Sequence, residues 1–259
     1  MEAEEVEFAV ADGIARVTLN RPARRNALSA SMANALTAAW ARVDADEEIR
    51  AVVLAAAPCG TFCAGMDLKE MAAARAAGAD VLARIADPFQ ARLRAVQKPV
   101  AAALGGHFSG AGMLLAMGAD IRVGLAGSRA AISEARFGRG TAWAVPLLWM
   151  LPQAVLSEMV LTGAPLPVEE LWRHGFVNHL EPTPEAVLAR ACAIASAIAR
   201  NAPLSVRAAK ATLAAGMDLG CAAGLARGAE LHRAVYASAD AEEGPKAFAA
   251  GRAPVWQGR

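Results

Sequence analysis

The feature that most constrains the fold of this chain is an apolar run at residues 100–104, followed by a glycine-rich loop and a helix-like stretch, GGHFSGAGMLLAMGAD. A short apolar run bounded by turn-forming residues predicts a buried strand. Glycine loses more conformational freedom on folding than any other residue, so this density of glycines indicates that something approaches the backbone closely. The candidates are a phosphate, a carbonyl oxygen and another stretch of backbone.

Strand-like and helix-like patterns alternate through the N-terminal half. Two β-prone runs flank Asp12-Gly13 and predict a hairpin. Ser29 or Ser31 is expected to cap the first helix. Further strands are expected at residues 50–57, 100–104, 121–124 and 130–132. Helices are expected at residues 31–43, 67–93, 142–151, 153–161, 168–174, 184–200, 203–215 and 219–239. Because helices dominate only the later part, the pattern predicts an α/β core with helical elaboration.

The glycine loop has three chemical interpretations. A dinucleotide site fits poorly, because Leu115 stands where the G-x-G-x-x-G fingerprint needs its third glycine. Ser109 lies at a strand-to-helix turn, but a nucleophile elbow needs glycine two residues earlier, where this chain has His107. The third interpretation uses the backbone, since the unpaired N–H groups of a first helical turn can bind a carbonyl oxygen. The segment FCAGMDL would then supply a second donor from Met66.

Composition narrows the classes of partner. The formal net charge is +1 and the basic residues are scattered, so neither nucleic acid nor a membrane is indicated as a partner. The four cysteines lack metal-site spacing and are expected to be free thiols in a reducing compartment. The acidic N-terminal residues do not resemble a signal peptide, and no uncharged apolar run reaches membrane-spanning length. We therefore expect a cytoplasmic protein without a metal.

Three segments taken together resemble the enoyl-CoA hydratase/isomerase (crotonase) family: VTLNRPARRNALS, GTFCAGMDLKEM and GGHFSGAGMLLAMGADIRV. Their order and spacing match the family. Further similarity continues through ISEARFGRG, LTGAPLPVEELWRHGFVNHLEP and the C-terminal PKAFAAGRAPVWQGR. The resemblance therefore covers nearly the whole chain.

The resemblance implies an α/β fold, a crotonase-like spiral of ββα units followed by a helical C-terminal trimerisation region. Residues 1–195 would form the spiral core and residues 196–259 the oligomerisation region, in a homotrimer or a dimer of trimers. It also implies an acyl-CoA thioester as the substrate. Coenzyme A is then part of the substrate, and no separate cofactor is expected.

The resemblance also implies candidate site residues. The oxyanion donors are expected to be the backbone N–H groups of Met66 and Ala111, where Ala111 replaces the middle glycine of the family's Gly-Gly-Gly run. An alanine keeps its N–H, so the hole is retained if the φ angle of Ala111 is negative. The residues expected to contact coenzyme A are Ala23, Arg25, Ala27, Ala64, Asp67, Leu68 and Lys246.

Hydratases of the family use two glutamates, and this chain keeps one of them. Glu134 matches the first, whereas Leu114 occupies the position of the second and cannot accept a proton. A single carboxylate can still move a proton between two carbons, so the site chemistry favours double-bond isomerisation over hydration of a 2-enoyl-CoA. The candidates for lining an acyl pocket are Trp143, Trp149 and Met150.

The missing glutamate leaves alternatives open. His107, on the same loop as Ala111, is a candidate replacement, although packing away from the site is the simpler interpretation. Asp67 is better explained as a helix-start residue near the coenzyme A. Two other classes of function remain: a hydrolase with Ser109 as its nucleophile, and an acyl-CoA-binding protein without catalysis.

Overall fold

The computed structural model describes residues 4–259. The strands are β1 (Val6–Ala11), β2 (Ile14–Leu19), β3 (Ala51–Ala56), β4 (Thr61–Cys63), β5 (Val100–Leu104), β6 (His107–Ser109), β7 (Ile121–Leu125), β8 (Arg129–Ala131), β9 (Leu166–Pro167) and β10 (His179–Glu181). The α-helices are α1 (Ala30–Ala45), α2 (Leu68–Ala76), α3 (Ala91–Ala95), α4 (Ala111–Gly118), α5 (Gln153–Thr162), α6 (Val168–Arg173), α7 (Pro184–Ala199), α8 (Pro203–Leu219), α9 (Cys221–Tyr236) and α10 (Ala239–Ala249). Short 3-10 helices lie at Pro22–Arg24, Leu82–Arg84, Glu134–Phe137 and Ala142–Trp149.

The strands form two sheets that the chain visits in alternation. The larger sheet has the order β1-β2-β3-β5-β7-β10, and the smaller has the order β4-β6-β8-β9. In the larger sheet β1 and β2 pair antiparallel, and the neighbours from β2 onward pair in parallel. Repeatedly, the chain places one strand in the larger sheet and the next in the smaller: β3 then β4, β5 then β6, β7 then β8. This repetition confirms the predicted α/β spiral of ββα units.

Strand β3 shows how the larger sheet is buried on both faces. Val52 and Leu54 belong to the main core, whereas Val53 belongs to a second cluster on the opposite face. Helix α7 covers that second face with Val187 and Ala191. A parallel sheet between two layers needs apolar residues on both faces, which is why this strand is a continuous apolar run without alternation.

Local sequence signals act as predicted at one hairpin turn and at one helix start. The β1–β2 hairpin turns at Asp12 and Gly13, whose φ angles are 50° and 72°, as a two-residue hairpin loop of type I′ requires. Helix α1 begins after Ser29, whose side chain accepts a hydrogen bond from the N–H of Met32 at 2.9 Å. Of the two serines that the sequence offered, Ser29 is therefore the cap.

The helix expected over residues 67–93 is wrong, because the chain breaks it in the middle. Helix α2 ends at Ala76, and Gly78 follows with a φ angle of 72°. A left-handed residue just after a helix terminates it. The chain becomes helical again in one 3-10 turn and then in α3, where Asp87 accepts a hydrogen bond from the N–H of Ala91 at 2.9 Å.

Several short elements escaped the sequence prediction. Strands β4, β6, β9 and β10 have two or three residues each, too few for a periodic pattern. Residues 142–151 form a 3-10 helix over Ala142–Trp149 instead of the expected helix, and it contains Pro146. An interior proline lacks the N–H that a regular α-helix needs, which accounts for the irregular geometry.

The C-terminal helices α8 and α9 pack closely through glycines. A Cβ added to Gly224 would lie 2.6 Å from the Cα of Gly216, and one added to Gly228 would lie 2.7 Å from the side chain of Thr212. The expected domain boundary after residue 195 falls within α7, whose buried face belongs to the second core cluster. An oligomerisation role for the helices that follow α7 stays a prediction.

Residues 4–259 contain neither a membrane-spanning helix nor a cluster of metal ligands. No helix there has the length and apolar character needed to cross a membrane. No group of three or more His, Cys, Asp and Glu side chains in this part of the chain is arranged to hold a metal ion.

The four cysteines are free thiols, as predicted. Burial raises the pKa of the Cys63 thiol to about 12, so this cysteine is unreactive at neutral pH.

Candidate active site

Three predicted site features follow three neighbouring strands of the smaller sheet. Strand β4 pairs in parallel with β6, and β6 pairs in parallel with β8. Met66, Ala111 and Glu134 each come two or three residues after the end of β4, β6 and β8, respectively. Because the carboxyl ends of parallel strands lie at one edge of a sheet, these features meet there. We call residues 64–67 and residues 109–111 the two donor loops.

The peptide between Gly65 and Met66 is held in one orientation. The N–H of Leu28 donates to the carbonyl oxygen of Gly65 at 2.8 Å, and the N–H of Asp67 donates to the carbonyl oxygen of Leu28 at 2.8 Å. A trans peptide points its N–H opposite to its C=O, so the Met66 N–H faces away from Leu28. No backbone group in the described part of the chain accepts a hydrogen bond from it, which leaves this N–H free to donate to a ligand.

Helix α4 presents the second donor at its first residue. Gly110 has a φ angle of 52°, and the helix begins immediately after it at Ala111. The Gly110 carbonyl accepts from the N–H groups of Met113 and Leu114, so the Ala111 N–H at the other end of that peptide points out of the helix. Ala111 is not among the residues with positive φ. The negative φ that an alanine needs there, if its N–H is to point into the hole, is therefore present. The helix dipole adds attraction for a negative oxygen.

The two donor loops are in contact with each other. A Cβ placed on Gly65 would lie 3.2 Å from the carbonyl oxygen of Ser109 and 3.8 Å from the amide nitrogen of Ala111. Gly65 also has a φ angle of 101°, which side chains disfavour. The N–H groups of Met66 and Ala111 therefore lie on two loops in contact, as two donors to one substrate oxygen would need to.

Two glycines are needed where the backbones of neighbouring segments meet. A Cβ on Gly112 would lie 2.4 Å from the carbonyl oxygen of Cys63, and one on Gly106 would lie 2.5 Å from the carbonyl oxygen of Gly60. No real Cβ tolerates such distances. Of the candidates that the sequence raised, another stretch of backbone therefore explains these two glycines. The sequence-based explanation, room for a substrate oxygen, does not extend to them.

Replacing Gly112 with alanine is expected to destabilise the protein by about 1–3 kcal/mol, the usual range for overpacking. The new methyl group would push α4 away from β4, because the Cys63 carbonyl lies 2.4 Å from its position. The matched control is Gly216→Ala in α8, where an added Cβ meets nothing within 4 Å. That variant is expected to gain about 0.5–1 kcal/mol, since glycine is disfavoured within a helix. Denaturant unfolding of both proteins measures the difference, and equal effects would contradict the contact.

Glu134 begins a 3-10 helix and faces the second donor loop. Its Oε1 lies 3.4 Å from the position of a Cβ on Gly110, and its Oε2 is buried with no hydrogen-bond partner among the described residues. Burial raises the pKa of Glu134 above its ordinary value, and nearby N–H groups, including the indole of Trp143, act in the opposite direction. A partly buried carboxylate with a raised pKa is suited to take up and return a proton.

Leu114 and His107 are the two residues that bear on the missing second acid or base. Leu114 is buried in α4 and belongs to the main core. His107 lies on β6, where its Nδ1 accepts a hydrogen bond from the backbone N–H of Arg129 at 2.9 Å. This contact ties β6 to β8 and occupies Nδ1, one of the two ring nitrogens. His107 is exposed, and its candidacy as a replacement for the missing glutamate stays a prediction.

Asp67 is occupied by structural contacts. It caps α2 by accepting hydrogen bonds from the N–H groups of Lys69 at 3.1 Å and Glu70 at 3.3 Å. The guanidinium of Arg21 also lies 3.2 Å from its Oδ2. Burial opposes the charged form, but these N–H groups and the Arg21 charge outweigh it and hold the pKa of Asp67 below its ordinary value. Its predicted place at the start of a helix is confirmed.

Arg21 and Asn26 hold the loop before α1, and sequence reasoning missed both of them. Arg21 forms a second ion pair with Glu5 at 2.6 Å. Asn26 is fully buried, and its side-chain amide donates to the carbonyl oxygens of Ala57 and Thr61 at 2.9 and 3.0 Å. The only signal for them was their place in the first of the three family-like segments.

Most residues expected to contact coenzyme A lie around the first donor loop. Ala23 and Arg25 are exposed, whereas Ala27 is buried. The N–H of Ala64 donates to the carbonyl oxygen of Arg25 at 3.1 Å, which joins this segment to the first donor loop. Leu68, the first residue of α2, is also exposed. The group therefore forms a partly exposed surface beside the candidate hole.

The other predicted contacts lie further along the chain. Lys246 is exposed on α10, where its Nζ lies 2.8 Å from the carboxylate of Glu242. Trp143 and Met150 pack against the main core, whereas Trp149 is 60% exposed. Of the three acyl-pocket candidates, Trp143 is the one whose indole N–H lowers the pKa of Glu134.

Ser109 has no base beside it. Its hydroxyl donates to the carbonyl oxygen of Ala64 at 3.0 Å, and no histidine among residues 4–259 is hydrogen-bonded to it. A serine nucleophile needs a neighbouring base to take its proton. The geometry therefore does not favour the hydrolase hypothesis.

Comparison with known proteins gives a consistent result over the whole chain. The family described as enoyl-CoA hydratase/isomerase matches residues 9–259. The chain is 34% identical over 258 residues to (E)-benzylidenesuccinyl-CoA hydratase of Thauera aromatica, covering 98% of this chain and 99% of that protein. It is 35% identical over 251 residues to enoyl-CoA hydratase EchA19 of Mycobacterium tuberculosis, covering 94% and 92%. The crystal structure of an enoyl-CoA hydratase from Mycobacterium tuberculosis H37Rv superimposes with a TM-score of 0.88 at 32% identity, covering 99% and 100%.

Proposed function

Because this chain belongs to the enoyl-CoA hydratase/isomerase family, we propose that it transforms an enoyl-CoA thioester with Glu134 as its single acid–base group. The observation that carries the proposal is the meeting of three strand ends. There, the N–H groups of Met66 and Ala111 have no backbone partner among residues 4–259, and the Oε2 of Glu134 is buried without a hydrogen-bond partner in the same range. Two donors beside one proton acceptor can stabilise a thioester enolate while its proton is moved.

The oxyanion hole acts on the charge that develops during the reaction. When a proton leaves the carbon next to the thioester carbonyl, negative charge accumulates on the carbonyl oxygen. Donors fixed at that position strengthen their hydrogen bonds as the charge develops and need no reorganisation. The contacts that fix the Gly65–Met66 peptide and the helix start at Ala111 supply this fixed geometry.

Double-bond isomerisation is the reaction that one carboxylate performs most directly. Glu134 takes a proton from C2 of a 3-enoyl-CoA, and the electron pair of that C–H bond moves toward the carbonyl to give a dienolate. The carboxylic acid then gives the proton to C4, and the double bond comes to lie between C2 and C3. No atom is gained or lost, and Glu134 returns to its carboxylate form.

Hydration is the second candidate, because the relatives at 34% and 35% identity are named as hydratases. In this case Glu134 takes a proton from water while the water oxygen bonds to C3 of a 2-enoyl-CoA. The same carboxyl group then gives the proton to C2. Leu114 offers no second carboxylate, so Glu134 would carry both proton transfers.

Binding of coenzyme A is proposed for the surface beside the first donor loop. The residues assigned to it are Ala23, Arg25, Ala27, Ala64, Asp67 and Leu68, and Lys246 on α10 is proposed as a separate contact. Exposed Arg25 and Lys246 offer positive charge to phosphate, whereas Asp67 contributes indirectly by capping α2.

We also propose assembly as a trimer or a dimer of trimers through the C-terminal helices, which light scattering of the purified protein would measure.

A substrate panel read by mass spectrometry tests the reaction type. The protein is incubated separately with 3-enoyl-CoA and 2-enoyl-CoA thioesters of several chain lengths. An unchanged mass with a moved double bond means isomerisation, whereas a gain of one water means hydration. Release of free coenzyme A would instead support hydrolysis through Ser109. Tight binding without any product would support the non-catalytic alternative and overturn the proposal.

Trp143→Phe is expected to move the acid limb of the pH–rate profile to higher pH. Burial raises the pKa of Glu134 and the Trp143 indole N–H lowers it, so removing that N–H raises the pKa further. A base works only when ionised, so kcat/KM should then rise at a higher pH than in the wild type. The control is Trp149→Phe, because Trp149 is 60% exposed. An unmoved acid limb in Trp143→Phe would contradict the effect of the Trp143 indole on Glu134.

A further inference from the structure

Ser109 joins the two donor loops by a side-chain contact. It is the last residue of β6 and comes directly before Gly110, while Ala64 comes directly after β4. Its hydroxyl donates to the carbonyl oxygen of Ala64 at 3.0 Å. The side chain thus spans from the segment that leads to Ala111 to the segment that leads to Met66.

A hydrogen bond to the Ala64 carbonyl can affect the orientation of the Met66 N–H. It belongs to the peptide between Ala64 and Gly65, and Gly65 has a φ angle of 101°. Glycine is the residue with the widest range of backbone conformations, so the chain can pivot there. The next peptide carries the Met66 N–H. A hydrogen bond that fixes the first peptide therefore adds to the contacts with Leu28 in limiting how far the Met66 N–H can turn.

The other side of Ser109 is fixed as well. The N–H of Gly110 donates to the carbonyl oxygen of Ala131 at 3.2 Å, which ties the second donor loop to β8. Strand β8 leads within three residues to Glu134. The hydroxyl of Ser109 is therefore the side-chain bridge between the Met66 loop and a unit that already holds Ala111 and Glu134 together.

We infer that Ser109 is a positioning residue, whose hydroxyl bond to the Ala64 carbonyl sets the separation of the two oxyanion donors. The inference rests on the proposed enolate chemistry at Met66 and Ala111. Ser109 touches no reacting atom in this role. Removing the hydroxyl leaves both N–H groups in the protein but lets the loops drift apart, and small misplacements of this kind cost rate steeply.

Acetoacetyl-CoA is the probe, because its enolate absorbs in the near ultraviolet and reports stabilisation of an enolate directly. The wild-type protein is expected to raise the enolate fraction of the bound probe. In Ser109→Ala the enolisation constant of the bound probe is expected to fall about five- to tenfold, as for the loss of one hydrogen bond. Affinity for coenzyme A without an acyl group is expected to be unchanged. Ser109→Thr, which keeps the hydroxyl, is expected to restore most of the signal.

The matched control is Ser128→Ala. Ser128 is buried, whereas Ser109 is half-buried. The Ser128 hydroxyl likewise donates to a backbone carbonyl, that of Leu125 at 2.6 Å, in the turn before β8. A similar loss of melting temperature is expected in both alanine variants, with the enolate signal lost only in Ser109→Ala. A purely structural role for Ser109 predicts equal signals in the two variants, which would overturn the inference.

The remaining outcomes are also decisive. A wild-type protein that binds acetoacetyl-CoA without raising its enolate fraction would overturn the proposed oxyanion hole itself, and Ser109 with it. A wild-type enolate signal that survives in Ser109→Ala would overturn only the role of Ser109. Equal losses in Ser109→Ala and Ser109→Thr would show that the hydroxyl is not the group responsible.

Discussion

Replacing Glu134 with glutamine is expected to lower kcat/KM for the enoyl-CoA substrate by about 10²–10⁴-fold, the usual contribution of a positioned acid–base group. Glutamine has nearly the same size but cannot take up a proton from carbon or water. The N–H groups of Met66 and Ala111 are unchanged, so affinity for a saturated acyl-CoA should stay as in the wild type. Initial rates and calorimetric titration measure the two quantities.

The control for this variant is Glu158→Gln on the exposed face of α5. It carries the same chemical change at a residue outside the candidate site, and it should retain full activity. Retention of wild-type turnover by Glu134→Gln would remove Glu134 from the mechanism. The family resemblance would stand in that case, but the acid–base group would have to be another residue.

The same substitution has an expected effect on stability. Burial raises the folded-state pKa of Glu134 above its unfolded value. The resulting stabilisation is complete below the unfolded pKa and is lost as the pH rises through the folded pKa. Glutamine is neutral throughout, so Glu134→Gln should equal the wild type in stability at acidic pH and exceed it near neutral pH. Thermal unfolding at both pH values measures the difference.

Replacing Ala111 with proline is expected to lower kcat by about 10²–10³-fold, the loss seen when one oxyanion donor is removed. Proline has no N–H, yet it is tolerated at the first position of a helix, where that N–H lacks an intrahelical partner. Gly110 precedes it with φ of 52° and ψ of −117°, outside the right-handed helical region that proline disfavours in the residue before it. The fold should therefore be retained.

Cys221→Pro is the matched control for this variant. Cys221 is exposed, it is the first residue of α9, and it follows Gly220, which also has a positive φ angle of 78°. Both variants should keep the circular dichroism spectrum and melting temperature of the wild type, and only Ala111→Pro should lose activity. Full activity in Ala111→Pro would show that its N–H does not bind the substrate oxygen.

A helix, strand or turn could be predicted from the sequence only where it carried a local signal or a pattern long enough to recognise. The hairpin at Asp12-Gly13, the Ser29 cap and the long C-terminal helices rest on local signals, and the structure contains them. The helix expected over residues 67–93 was wrong because Gly78 takes a left-handed conformation that alanine-rich neighbours do not reveal. Of the three short strands that bring the candidate site together, β8 was expected near residues 130–132, whereas β4 and β6 were too short to carry a pattern.

The alternation of strands and helices, the order of the three family-like segments and the leucine at position 114 were visible in the sequence. Three features became visible only in the folded chain: which glycines serve backbone contacts, the hydrogen bond between His107 and Arg129, and the bridge that Ser109 forms between two loops. They were hidden because neighbours in a parallel sheet come from segments far apart in the chain. A contact such as the one between Ser109 and Ala64 leaves no local periodicity, so it becomes visible only when the strands are paired.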